Sequence, residues 1–224
     1  MEKTKKLEEL LTNPFEGLKE NDLNGFQANC QTIAKDLFRN YCINCNGKEY
    51  YFAEIEFYYY DSNQYLQNSE QYKWQKVTYP RKCNAGQLFY HLSGVDICFE
   101  SDYDNQKAKF GGILIRAIKD VNGENGTVIA GPLNCKNAIL NAFKGSRMPK
   151  LHEVEVTKKR KLTPKSTYRA LGENDIDIKN DKLCFFDSHI SDWNPPKEKY
   201  NTREGKIESR KSTYKTDRFN ENNK

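Results

Sequence analysis

The run from Glu49 to Tyr60 constrains the chain more than any other stretch: it is crowded with tyrosine and phenylalanine, carries Glu54 and Glu56, and contains no glycine or proline. Aromatic residues favour an extended, pleated backbone, and a period of two places Phe52, Glu54, Glu56 and Tyr58 on one face of a long strand. Ala53, Ile55 and Phe57 are expected on the other. Such a strand needs neighbours and a cover. Gln87 to Leu92 and Val95 to Phe99, broken near Ser93-Gly94, read as two more strands, and the nearly all-apolar Gly111 to Ile118 and the short Val128 to Ala130 as others.

Helices are expected before and after these strands. Lys5 to Leu11 reads as a short one ended by Asn13-Pro14. After a cap at Asn21-Asp22, Phe26, Ile33, Ala34, Leu37 and Phe38 recur at helical spacing to about Tyr41, and Gly131-Pro132 opens a third helix reaching about Phe143. Cys42 to Lys48, with its Asn-Gly, predicts a turn. Asp61 to Val77, with Tyr65, Tyr72 and Trp74, reads as a loop, and Asn122 to Gly126 as a turn. Beyond Lys144 the periodicity fades, apart from Lys182 to Asp187 and a weaker signal at Arg169 to Leu171. The order helix, strands, helix predicts an α+β fold: a curved, largely antiparallel sheet with flanking helices.

At 224 residues the chain is sized for one core-bearing domain, expected over residues 1–200, with 201–224 as a polar, flexible tail. No apolar run reaches the roughly 18 residues of a membrane span, and Met1 to Leu11 is charged throughout, so a soluble cytoplasmic protein is expected. Seven cysteines are scattered from Cys30 to Cys184 without a disulfide-like pattern. Cys42 and Cys45 form one Cys-x-x-Cys, but a zinc site needs about four ligands, and His91, His152 and His189 are far off in sequence. No metal and no cofactor are expected.

The formal charge is only +5. Its distribution is uneven: Lys144, Arg147, Lys150, Lys158, Lys159, Arg160, Lys161, Lys165 and Arg169 are opposed locally only by Glu153 and Glu155. That density suits a phosphate backbone, and it equally suits a solvated loop. Arg116 poses a sharper problem. Flanked by Ile113, Leu114, Ile115 and Ala117, it needs a carboxylate or an anionic ligand, because an unpaired buried charge costs several kcal/mol. Glu54 and Glu56 are the candidates, with Tyr58 and Tyr90 as neighbouring rings. Read from patterning alone, a structural salt bridge and a reactive pair both fit.

Four segments, in order, resemble the alkyladenine (3-methylpurine) DNA glycosylases. Glu54-Ile55-Glu56-Phe57-Tyr58 is similar to that family's Glu-Thr-Glu-Ala-Tyr strand, and Gly86 to Gly94 to its Gly-x-x-Tyr-Val-Tyr-x-x-Tyr-Gly segment. Ile113-Leu114-Ile115-Arg116-Ala117 resembles Val-Leu-Leu-Arg-Ala, and Gly131-Pro132 leads into a helix as in the family. Ile33 to Phe38 resembles the opening helix, so the likeness spans roughly Phe26 to Leu140. It implies a methylpurine-glycosylase-like fold and a monofunctional DNA N-glycosylase of the base-excision-repair type, hydrolysing the N-glycosidic bond of a modified purine.

By position, the resemblance implies that Glu56 activates water and Arg116 helps position it, while Tyr58 and Tyr90 stack on the extruded base. A carboxylate suits this chemistry because bond breaking develops oxocarbenium charge. The family's guanine-excluding asparagine falls near Glu100, and the tyrosine that wedges into the duplex falls at Ser93. The family's pocket histidine has no counterpart, since none lies between Glu56 and His91. His91 alternates away from Tyr90 and is expected at the surface. The small Ser93 points to single-stranded or distorted DNA as partner, with Lys158, Lys159, Arg160 and Lys161 on the nucleic-acid backbone and the protein a monomer. The alternatives are a nucleic-acid-binding protein of the same fold without turnover, and a nucleoside hydrolase-like enzyme.

Overall fold

The computed structural model describes residues 7–14, 17–18, 22–61, 78, 80–102, 109–120, 128–143, 149–155, 158–167, 169 and 182–189. The Asp61 to Val77 loop beyond Asp61 itself, the Asn122 to Gly126 turn, Lys144, Arg147, Leu171 and the 201–224 tail lie outside these residues.

Helix α1 covers Leu7–Thr12 and α2 Leu23–Asn40. Asp22 caps α2, its Oδ1 accepting the Gly25 N–H at 2.8 Å, which satisfies one of the helix's orphan donors. Phe26, Cys30, Ile33, Ala34, Leu37 and Phe38 form its buried stripe. Burying each large member contributes about 1.5–3 kcal/mol, so packing rather than intrinsic propensity holds this helix. Tyr41 is already extended, and α2 runs straight into strand β1, Tyr41–Cys45. The expected turn from Cys42 is therefore confined to Asn46-Gly47, whose φ angles of 52° and 83° are both left-handed. That is the geometry of a two-residue hairpin, and it sends the chain back as β2, Lys48–Asp61.

The remaining strands are β3 Leu88–His91, β4 Gly94–Cys98, β5 Lys109–Asp120, β6 Val128–Ala130, β7 Lys150–Glu153, β8 Lys165–Thr167 and β9 Cys184–Phe186; helix α3 is Pro132–Asn141. The main order is β3-β4-β5-β2-β1-β7, with β6 on β5 and β9 joining β2 to β8. Every strand pairing among the described residues is antiparallel. The fold is thus α+β, built on a curled antiparallel sheet. No described helix is long and apolar enough to cross a membrane.

One irregularity organises the sheet. Phe52 pairs with Ile118 and Glu54 with Ala117, then Ile55 with Ile115, so Ala53 on β2 and Arg116 on β5 are each skipped by the register. The core side of β2 accordingly changes from Tyr50 and Phe52 to Ile55, Phe57 and Tyr59. Phe52 does not share a face with Glu54, contrary to simple alternation. It packs beneath α2 against Phe38, ring centres 6.4 Å apart. Ala53 instead meets Ala117 and Ala130. At the same point β2 changes partner: β1 pairs with residues 48–51 and β9 with residues 54–56.

Candidate active site

The double bulge brings two carboxylates and a guanidinium together. Beyond Ala53 the odd residues of β2 enter the core, so Glu54, Glu56 and Tyr58 face the opposite side. Arg116, skipped on β5, turns to the same side; a bulge characteristically re-aims a side chain in this way. Its Nε donates to Glu54 Oε1 and its Nη1 to Glu56 Oε2, each at 3.2 Å. Tyr58 OH donates to the same Glu56 oxygen at 2.8 Å.

Glu56 is 0% exposed and the Arg116 side chain 14%. Two carboxylates at that depth would be prohibitive without the guanidinium between them. Burial, then the adjacent Glu56 charge, pushes the Tyr58 hydroxyl well above its ordinary pKa, so it stays a hydrogen-bond donor.

Strand β9 closes this group from the other edge. Cys184 lies opposite Glu56 and its thiol donates to Glu54 Oε1 at 3.2 Å. Glu54, Glu56 and Cys184 present ligand-type atoms within 4.8 Å of one another, yet the cation holding both carboxylates is Arg116. Arg169 crosses the face, its guanidinium 5.0 Å from the Tyr58 ring centre and its Nη1 donating to Phe57 O at 3.1 Å. Helix α3 is fastened to the same place: Gly131, at φ 96°, donates its N–H to Arg116 O at 2.8 Å. The left-handed φ is why glycine occupies that position.

No family model, curated protein or solved structure matches the chain.

The register corrects the placement of Tyr90. Tyr90 pairs with Val95 on the core side, whereas Phe89 pairs with Asp96, Asp96 with Leu114, and Leu114 with Glu56. Directly opposed residues share a face, so Phe89 and His91 belong to the Glu56 side and Tyr90 to the other. The Tyr90 ring packs against the core, where its hydroxyl finds no hydrogen-bond partner among the described residues and burial pushes its pKa up to about 12. His91, expected at the surface, is largely covered. Its Nε2 lies 3.2 Å from Asp96 Oδ1 and its Nδ1 3.2 Å from Ser93 Oγ.

At the β3-β4 turn both residues are exposed: Leu92, at 93%, projects an apolar side chain, while Ser93 Oγ lies 3.2 Å from His91 Nδ1. Lys136 of α3 braces this tip, donating to His91 O and Leu92 O at 2.9 Å each. Glu100 uses Oε2 to accept the Ala85 N–H at 2.7 Å, which ties down the loop before β3.

Within the basic stretch, Lys158, Lys159 and Arg160 are each paired with a carboxylate of the protein. Lys158 reaches Glu49 at 3.5 Å and Lys159 reaches Glu153 at 2.8 Å, contacts that are weak at an exposed surface. Arg160 has a structural role: it pairs with Asp187, donates to Phe52 O at 3.2 Å and lies over the Tyr51 ring. Lys161 is exposed.

Patterning did not place Arg169, named only in the basic stretch, or Cys184 or the Arg81-Asp96-His91 group on the Glu56 face. Asp96 was the one findable member, since a carboxylate between Val95 and Ile97 poses the same problem as Arg116 among isoleucines.

Proposed function

We propose that the protein is a monofunctional DNA N-glycosylase that removes a modified purine by hydrolysis. The observation that carries the reading is the convergence of Arg116 from β5 and Tyr58 from β2 on a single carboxylate oxygen of Glu56 at a double bulge. Departure of the base leaves positive charge on the sugar, which the Glu56 carboxylate offsets while orienting the attacking water. Arg116 and Tyr58 fix the rotamer of Glu56 and carry what exposure the trio has, so the sugar is taken to approach along them. The assembled groups are carboxylates, guanidiniums, a phenol and a thiol, and water rather than an amine serves as the nucleophile.

Leu92 supports a DNA partner, because a braced apolar side chain at a hairpin tip is suited to insertion between base steps. On this reading Leu92, not Ser93, fills the gap left by the extruded base. The fold would then be of the methylpurine-glycosylase type.

The competing reading, binding without turnover, is favoured by one feature: Arg116 already engages both carboxylates and Glu56 is fully covered. An oligonucleotide bearing a cationic pyrrolidine in place of the target sugar separates the two. A site built to stabilise oxocarbenium charge binds it more tightly than the neutral tetrahydrofuran analogue. The preference is expected in the wild type and lost in Glu56→Gln. Equal affinity for both analogues in the wild type would favour the binding module.

A further inference from the structure

The Glu56 face holds a second buried ionic group, formed by Asp96 on β4, two strands across from β2, and Arg81 in the segment before β3. Asp96 is 3% exposed and accepts a hydrogen bond from Arg81, itself 5% exposed. Gly112 makes room for that pair, since a Cβ there would lie 2.8 Å from Arg81 Nη1 and 3.0 Å from Asp96 Cβ. The Arg81 guanidinium also lies over the Phe89 ring, 4.7 Å from its centre, and Phe89 stacks at 23° against His91. The imidazole is therefore fixed by Asp96 at one nitrogen, by Phe89 along its side, and by Ser93 at the other nitrogen. A buried ion pair is an inefficient source of stability compared with apolar packing, and this one also holds the His91 imidazole in place.

We propose that His91, aligned by Asp96 and Arg81, is the wall of the site that reads the base, and that it selects planar bases carrying an exocyclic amino group. The proposal rests on the glycosylase reading. A carboxylate engaged by arginine is an acceptor only, so Nε2 of His91 carries a proton; in the neutral imidazole that the proposal requires, Nδ1 then accepts the Ser93 hydroxyl proton. That leaves the Ser93 oxygen with its lone pairs outward, able to receive an amino N–H and unable to donate to a carbonyl. Tyr90, on the core side, has no part in this.

The test uses the full chain and oligonucleotides carrying an alkylated adenine or the equivalent alkylated hypoxanthine, which differ in an amino against an oxo group. The wild type is expected to favour the amino base by about fivefold in kcat/KM, the value of one net hydrogen bond. His91→Phe, which keeps the stacking surface but neither ring nitrogen, is expected to lose the preference; His91→Ala should raise KM; Tyr90→Phe should change neither. An unaltered preference in His91→Phe, or its loss in Tyr90→Phe, overturns the proposal. Imidazole 15N chemical shifts provide a readout independent of turnover, with the Nε2–H form expected in the wild type and lost in Asp96→Asn. The Nδ1–H form in the wild type overturns the proposal by itself. The expected tautomer with no base released from either oligonucleotide would instead bring down the glycosylase reading on which it rests.

Discussion

Arg116 holds two buried carboxylates, and it is the residue whose loss should be felt most. Arg116→Ala takes the guanidinium away from between Glu54 and Glu56 at depth, and about 3–5 kcal/mol of stability is expected to go. Adding Glu54→Gln and Glu56→Gln to that variant should restore part of it, because the cost lies in the buried charges. Urea unfolding of the single and triple variants measures this directly, and an Arg116→Ala midpoint equal to that of the wild type would contradict the account. Of these residues, Arg116 and its need for a partner were legible in the sequence, since no apolar strand tolerates a lone guanidinium. Which carboxylate it takes was not. The answer is both, because the bulge turns Arg116 between Glu54 and Glu56 where strict alternation would give it one opposed neighbour.

The elements divide according to whether their order is local. Helix α2 could be read from its stripe and its Asp22 cap. The long strands β2 and β5 could be read from composition, as could the break between β3 and β4. Two things were hidden. Alternation does not reveal the register skip at Ala53, which moves Phe52 to the core, nor the two-residue turn that puts His91 rather than Tyr90 on the Glu56 face. Strands β7 and β8 are short edge pieces with partners distant in sequence. The segment between them is strapped to α2 by the Arg39 hydrogen bond to Leu162 O and the Gln31 hydrogen bond to Pro164 O, which leave no periodic trace.

Helix α2 also carries a pH-dependent term. Burial raises the pKa of Asp36 above its ordinary value of 3.8, with the Asn40 hydrogen bond acting in opposition. A raised folded pKa means that the native state holds the proton more tightly than the unfolded chain. This contribution to stability is full below the unfolded value and is lost as pH rises through the folded one. Asp36→Asn, which keeps the acceptor for Asn40 and cannot ionise, should therefore gain Tm relative to the wild type between pH 3.5 and 7. A constant Tm difference over that range would show that Asp36 does not titrate differently on folding.

At the scale of the molecule, the curled sheet separates two tasks. Its inner side is a continuous aromatic and aliphatic core under α1 and α2. Its other side carries ionic groups too costly for a structure that needed only stability: Arg160 with Asp187, Arg116 with Glu54 and Glu56, and Arg81 with Asp96. The β3-β4 hairpin projects Leu92 into solvent at its tip. If Leu92 enters the base stack, Leu92→Ala should lower activity on duplex more than on single strands, and the duplex to single-strand ratio of kcat/KM measures it. An unchanged ratio would remove Leu92 from the account.

The α+β class and the antiparallel sheet were legible in the sequence because they follow from the order of apolar segments. The charged face was visible only in part, since its members come from β2, β4, β5, β9 and the segments holding Arg81 and Arg169. No local pattern ties these together.

The central claim is that Glu56 drives hydrolysis of an N-glycosidic bond. The most direct measurement is base release, detected by mass spectrometry, when the wild type and Glu56→Gln are incubated with single- and double-stranded oligonucleotides bearing alkylated or deaminated purines. The account predicts free base and an intact abasic strand with the wild type, and loss of release with retained binding in Glu56→Gln. Equal release by both proteins, or none by the wild type alongside salt-sensitive binding by both, would contradict it.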